Sequence, residues 1–303
     1  MSSIPQFPQF KPIALEDRDF LHHKLWEYQP ETSELTFTGL FIWRHSYGLH
    51  WSLLADCLIL LCQDLTNGAY FLPPVGSHPR TELIPQIFAW LREEKGVEKP
   101  RLECADRRLA DEMFTSDAFK VKPYRDHFDY IYRSLDLINL SGRKYHSKRN
   151  FINTLTAKHQ FSYQPITESL LPECQRVADE WCKFHRCSED MNLLDEQEAI
   201  AEALGNYSAL GLSGGAIMID DKLEAFSLGE FLNANTGVVH IEKANPHIRG
   251  LYALINQQFC EHTFSRVPFI NREQDLGEEG LRKAKLSYHP HHLVEKFLIT
   301  EKR

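Results

Sequence analysis

The sequence has no apolar run long enough to span a bilayer: the greasiest stretch, LLADCLILLC, stops after ten residues and contains Asp56. Its opening, MSSIPQFPQFKPIALEDRDF, holds no basic region followed by an apolar one, so no transmembrane segment or signal peptide is indicated and a cytoplasmic location is expected. The seven cysteines form no CxxC pair, and an odd count in a chain without an export signal argues for reduced thiols. CKFHRC (182–187) contains Cys182, His185 and Cys187, but on a helix these three do not all face one way. HPHH (289–292) is rich in imidazole, but Pro290 holds the chain extended and sends neighbouring rings to different sides. No metal is assigned. A formal charge of -8 disfavours a general nucleic-acid-coating role.

What is there is ample core. With 303 residues, 43% of them hydrophobic and 12% aromatic, the chain is long enough for two domains of ordinary size. The halves repeat one order of elements. In the first, CLILLC and AYFLPP flank the turn signal DLTNG, then TELIPQIFAWLREEKG has helical spacing, RLECA reads as a strand, DRRLADEMF as a short helix and HFDYIYRSL as a closing strand. In the second, GGAIMI and EAFSLGEF form a hairpin, GVVHIEKA a third strand, and IRGLYALINQQFCEH a helix with Leu251, Leu254, Ile255 and Phe259 on one face; VPFIN, EEGLRKAKL and LVEKFLIT then give strand, helix, strand. This pattern predicts an α/β mixed sheet flanked by helices, twice. Between the halves, residues 141–160 carry Arg143, Lys144, Lys148, Arg149 and Lys158 with no acid, so that a basic helix beginning near Ser141 suits a phosphate-bearing partner, or a solvated face.

Three stretches carry candidate chemistry. In GVVHIEKA, regular alternation puts Val238, His240 and Glu242 on one face and Val239, Ile241 and Lys243 on the other. Three ionisable groups in a row on an inner strand must pair, reach water or line a cleft, because burying unpaired charge costs several kcal/mol. Next, Asn245-Pro246-His247-Ile248-Arg249-Gly250 leads into a helix, whose start offers backbone N–H groups to an anion, or simply packs closely through Gly250. Finally, NREQDLGEEGLRKAKLSY crowds charge after a strand. Asp275 and Glu278 have capping spacing, which leaves Asn271, Arg272, Glu273 and Asp275 at a strand's carboxyl end and Arg282 and Lys285 on one helical face. Tyr288 adds a phenol suited to donating a proton. The aromatics Phe37, Phe41, Trp43, Tyr47 and Trp51 read as first-domain core.

HIEKANPHIRGLYALINQQF, NREQDLGEEGLRKAKLSYHP and LINLSGRKYHSKRNFINTL together resemble the DUF2156 proteins, over essentially the whole chain. Those are similar to the C-terminal synthase domain of phosphatidylglycerol lysyltransferases, and both resemble tandem GNAT-type acyltransferase folds, as do the Fem peptidoglycan aminoacyltransferases. The resemblance implies a GNAT-like domain over 1–135, a basic connecting helix over 136–160 and a second GNAT-like domain over 161–303 that carries the site. It also implies transfer of an aminoacyl group from charged tRNA to a lipid, peptide or amine, with no tightly bound cofactor. On that reading Glu242 or Glu230 is the base, Asp275 or Glu273 holds the substrate ammonium, and Arg282 and Lys285 face a phosphate or oxyanion. His240, Lys243, Asn245, Arg249 and Asn271 line the substrate, and Arg143, Lys144, Lys148 and Arg149 bind the tRNA backbone. Two alternatives stay open: an acyl-CoA N-acyltransferase in which Glu242 is the base and Tyr288 protonates the thiolate, and a non-catalytic module whose cleft binds a charged ligand. Oligomeric state is not legible.

Overall fold

The structure, a computed structural model, describes residues 4–64, 68–77 and 79–302. Strands run at Lys11–Pro12 (β1), His50–Leu54 (β2), Cys57–Asp64 (β3), Gly68–Phe71 (β4), Arg101–Ala105 (β5), Phe119–Pro123 (β6), Asp129–Arg133 (β7), Phe161–Pro165 (β8), Ser213–Ile219 (β9), Lys222–Asn233 (β10), Thr236–Ala244 (β11), Phe269–Asn271 (β12), His292–Val294 (β13) and Phe297–Glu301 (β14). They form two mixed sheets, ordered β1-β2-β3-β4-β5-β14-β6 and β13-β7-β12-β11-β10-β9-β8. The turn signal between β3 and β4 lies at 65–67, outside the described residues.

The chain divides into two units. One comprises Met1–Asp129, Gln274–Glu278 and Val294–Arg303, the other Tyr130–Glu273 and Glu279–Leu293. The closing strands differ from the sequential expectation, because each sheet takes the strand expected to close the other. HFDYIYRSL supplies β7, which pairs antiparallel with β12 through Ile131 and Asn271. LVEKFLIT splits at Glu295 and Lys296, and its second part, β14, runs between β5 and β6. Burial accounts for the placement: Tyr130 and Tyr132 of β7 belong to the second unit's core, while Phe297 and Ile299 of β14 belong to the first's. At about 1.5–3 kcal/mol for each large apolar side chain removed from water, these are sizeable terms.

In the first unit the helix Arg80–Lys95 buries Leu83, Ile84, Ile87, Phe88 and Leu91 against Ile59, Leu61 and Phe71, following its apolar spacing. Asp106 caps the helix Arg107–Phe114 by accepting from the Leu109 amide at 2.8 Å. Of the aromatic group read as core, Phe37, Phe41 and Trp51 are buried, whereas Tyr47 is exposed.

In the second unit the helix Leu251–Phe264 buries Leu251, Leu254, Ile255 and Phe259 with Ile217, Ala225 and Val239. The basic segment forms a 3-10 turn at Arg143–Tyr145 followed by the helix His146–Thr156, which packs Ile152 and Leu155 into the same core. Gly250, at φ 96, begins the helix Leu251–Phe264 where a Cβ would lie 2.5 Å from the Phe151 carbonyl oxygen, so a close backbone approach requires glycine here. One cysteine expectation is corrected. The helix Leu171–His185 ends with Arg186 in a left-handed conformation, φ 54, which turns Cys187 back to a disulfide with Cys182. The other five cysteines are free and buried.

Candidate functional site

The second unit opens where two parallel strands part. β11 and β12 pair only at Thr236–Phe269, Gly237–Ile270 and Val238–Asn271. Beyond that, β11 continues to Ala244 while the other strand has ended, leaving a wedge at their carboxyl ends, the place where open α/β sheets take ligands. His240 and Glu242 stand on one edge of the wedge, Arg272 and Glu273 on the other.

A bulge decides which way these groups point. Leu228 pairs with Ile241 and the next residue, Gly229, with Val239, so His240 is the extra residue of β11. Glu242 lies opposite Ser227 and Val238 opposite Glu230. Ser227 and Glu230 are three apart on a regular stretch of strand and therefore face opposite ways. The expected shared face of Val238, His240 and Glu242 is thus broken, and two ionic groups result.

The first joins Glu242 to Arg272. Arg272 Nη2 donates to Glu242 Oε1 at 2.9 Å, and Asn256 Nδ2, from the helix Leu251–Phe264, donates to Oε2 at 3.2 Å. Arg272 lies 5.0 Å from the Tyr288 ring centre and 6.0 Å from that of Tyr132. Lys285 donates to the Arg272 carbonyl, fixing that backbone, and its own carbonyl accepts from the Tyr132 hydroxyl at 2.8 Å. Lys148 comes from the basic helix: its Nζ sits 3.8 Å from the Tyr288 ring centre and donates to Ser287 Oγ at 2.7 Å. Burial, with the Arg272 charge adding to it, lowers Lys148 to about 8. Burial also pushes the Tyr288 phenol well up, so it stays protonated at neutral pH. Two buried polar atoms beside Glu242, Ser227 Oγ and Asn256 Oδ1, have no hydrogen-bond partner among the described residues.

The second group centres on His240, whose Nε2 donates to Glu230 Oε1 at 3.0 Å and whose Nδ1 donates to Glu273 Oε1 at 2.8 Å. Burial works against the imidazolium, but the hydrogen bonds and charges of the two carboxylates outweigh it and raise His240 to about 10. Asn271 Oδ1 accepts from the Glu273 amide at 2.7 Å, holding Glu273 at φ 57, a conformation uncommon outside glycine.

Other expected site residues go elsewhere. Asp275 belongs to the first unit, because the chain enters that unit at Gln274; there its carboxylate is fully buried, pairs with Arg125 at 3.3 Å and accepts from the Gly277 amide. Its convergence with Glu242 in one domain is therefore corrected. Lys243 pairs with Glu196 at 2.8 Å and stacks 3.4 Å from the Trp181 ring centre, on the helices Met191–Gly205 and Leu171–His185. Burial lowers its pKa. Asn245 donates to Glu224 Oε2 at 2.7 Å, and Arg249 lies over the Phe151 ring. Arg149 donates to the carbonyls of Leu140 and Gly142 beyond the end of the helix Ser134–Asn139, Lys144 pairs with Asp136 at 3.1 Å, and Arg143 is exposed. Arg282 is half-buried on the helix Glu279–Leu286. Arg272 and Asn256 received no site role from sequence. For Asn256 the available signal was an amide on an otherwise apolar helical face, buried to 1% exposure.

Residues 27–300 match the family described as phosphatidylglycerol lysyltransferase, C-terminal. The chain belongs to this family. Among solved structures, a conserved protein of unknown function from Bacteroides thetaiotaomicron is 34% identical, covers 97% of this chain and 99% of its own, and superposes with a TM-score of 0.89. L-PGS from Bacillus licheniformis is 14% identical, with 98% of this chain and 93% of that one covered and a TM-score of 0.65. A tandem GNAT protein from the clavulanic acid biosynthesis pathway is 10% identical at a TM-score of 0.51, with 97% and 98% covered. The fold of this phosphatidylglycerol lysyltransferase-family chain is accordingly a pair of GNAT-like units, as the resemblance implies, each with the mixed sheet that the doubled element order predicts. An uncharacterized protein of Mycoplasmoides gallisepticum is 22% identical over 174 residues, 56% of this chain, and the chain spans about half (55%) of that relative's length. Among the described residues, no helix is long and apolar enough to cross a membrane.

Proposed function

We propose that this chain moves an aminoacyl group from charged tRNA to a hydroxyl or amine acceptor at the wedge between β11 and β12. Family membership supports the class of reaction, and the family's own description supplies lysyl as the group and phosphatidylglycerol as the acceptor to try first. The observation that carries the reading is Lys148, brought from the basic helix to the half-buried Glu242–Arg272 pair and buried Tyr288 with its ammonium lowered to about 8. A base titrating near neutrality is matched to proton transfer.

An aminoacyl ester is already activated, so orientation and charge stabilisation carry most of the catalysis. The neutral Lys148 amine takes the acceptor proton as the acceptor attacks the ester carbonyl. Arg272, held by Glu242, places a fixed positive charge beside the developing oxyanion. Collapse breaks the ester bond, and the proton on Lys148 passes to the departing ribose oxygen. Glu242, engaged by Arg272 and Asn256, positions that charge and is not itself the base. Glu230 and Glu273 on one imidazolium leave a net negative charge suited to the substrate ammonium. Exposed Arg143 and Lys144 supply backbone contacts to the tRNA.

The test is transfer from lysyl-tRNA to phosphatidylglycerol vesicles or to free amines by the purified chain. Transfer should rise with pH through about 8 and fall by on the order of 10²–10⁴ in Lys148→Met. Unchanged transfer in Lys148→Met would overturn the assignment, and coenzyme A binding without tRNA binding would overturn the donor.

A further inference from the structure

We propose that the first unit holds a thiophilic divalent cation, such as Zn²⁺, on Glu34, Cys104 and His127. One ligand atom from each lies within 4.8 Å of the others. Cys104 Sγ and His127 Nδ1 are 3.7 Å apart, close to the ~3.6 Å that tetrahedral ligation gives from Zn–S and Zn–N bonds of about 2.3 and 2.1 Å. A hydrogen bond between a buried thiol and an imidazole accounts for that pair alone. It leaves the second oxygen of Glu34 unexplained.

The backbone is shaped to deliver the thiol. Phe297 and Ile299 of β14 pair with Ala105 and Leu102 of β5, so the one residue between them, Leu298, opposes two on the other strand, and the bulge falls at Glu103 and Cys104. Cys104 itself sits at φ 56, a strained conformation for a side chain that has no turn to make. Strain of this kind inside a strand re-aims a side chain, and here the thiol is turned towards His127.

Charge supplies a second observation. Lys296 is fully buried, and its Nζ contacts Glu34 Oε1 and Asp129 Oδ1, the latter at 2.6 Å. One ammonium against two carboxylates leaves a net negative charge. Glu34 Oε2 is buried and has no hydrogen-bond partner among the described residues. Ser33 donates its amide and hydroxyl to Asp129, not to Glu34. A divalent ion bound by Glu34, neutral His127 and the Cys104 thiolate balances the whole group to neutrality, with the thiol proton released to solvent. Three protein ligands leave one tetrahedral position for water or a small anion.

The experiment is Co²⁺ titration of the full chain with the Cys182–Cys187 disulfide kept oxidised, so that those sulfurs do not compete. One equivalent should bind with a thiolate-to-cobalt charge-transfer band, release a proton, and be displaced by Zn²⁺. Cys104→Ser should abolish the band, and His127→Gln should weaken binding by at least about tenfold, each with an unchanged circular dichroism spectrum. If Cys104→Ser does not fold, His127→Gln carries the test alone. Absence of saturable binding, a band that persists in Cys104→Ser, or undiminished affinity in His127→Gln would each overturn the proposal.

Discussion

Replacing His240 with glutamine tests the electrostatics of the wedge directly. The imidazole is 3% exposed and bonded at both nitrogens to carboxylates, with its pKa raised to about 10 against roughly 6.5 in an unfolded chain. A base whose folded pKa is raised stabilises the fold fully below its unfolded value, and that stability is lost as pH climbs through the folded value. The window therefore runs from about pH 6.5 to about pH 10. Linkage for a shift of this size makes that contribution fall by about 3 kcal/mol between pH 6 and pH 9. Glutamine keeps one donor and does not titrate. Subtracting the variant's urea-unfolding free energy from that of the wild type at each pH cancels Lys148, which titrates in the same range with the opposite sign. The difference should shrink by about 3 kcal/mol between pH 6 and pH 9. A difference constant to within about 0.5 kcal/mol would mean that His240 is neutral in the fold, and the imidazolium bridge between Glu230 and Glu273 would have to be abandoned.

Removing Arg272 alone, as Arg272→Met, should destabilise the chain by about 3 kcal/mol in urea titration by leaving the half-buried Glu242 without its counter-charge, whereas the double change with Glu242→Leu should recover much of that loss. Gly250→Ala places a Cβ against the Phe151 carbonyl at a positive φ, and a loss of about 1–3 kcal/mol in the same assay is expected. Alkylation of the denatured, unreduced chain should label five of its seven cysteines, and labelling of all seven would exclude the Cys182–Cys187 bond.

Much of the fold was legible because apolar periodicity reports local structure. The faces of the helices Arg80–Lys95 and Leu251–Phe264 follow from their spacing. Which sheet a strand joins is not local, and so chain order puts β7 and β14 in the wrong halves: DYIYR and FLITE each suit any neighbour with an apolar side. Within the site, Glu242, Lys285 and Tyr288 stand out as charge or phenol beside strand ends. Lys148 reads from sequence only as one more charge for the tRNA backbone, because nothing in the basic run says that one of its lysines turns inward. Asp275 was misplaced through its nearness to Glu273, since sequence does not show the chain leaving one unit at Glu273 and entering the other at Gln274. The bulge at His240, which separates it from Glu242, has no sequence mark at all. Glu34, Cys104 and His127 are too far apart in sequence to form a spacing motif, and only the fold brings them together.

The place of β14 has a consequence for synthesis. The first unit's sheet is incomplete between β5 and β6 until residues 297–301 arrive, long after both of those strands have been translated. Amino-terminal domains ordinarily fold as they leave the ribosome. Here the first unit waits for β14, with the facing edges of β5 and β6 open while the whole of the second unit is made. A chain cut before Val294 would spare every group in the wedge and still leave the first unit unable to close.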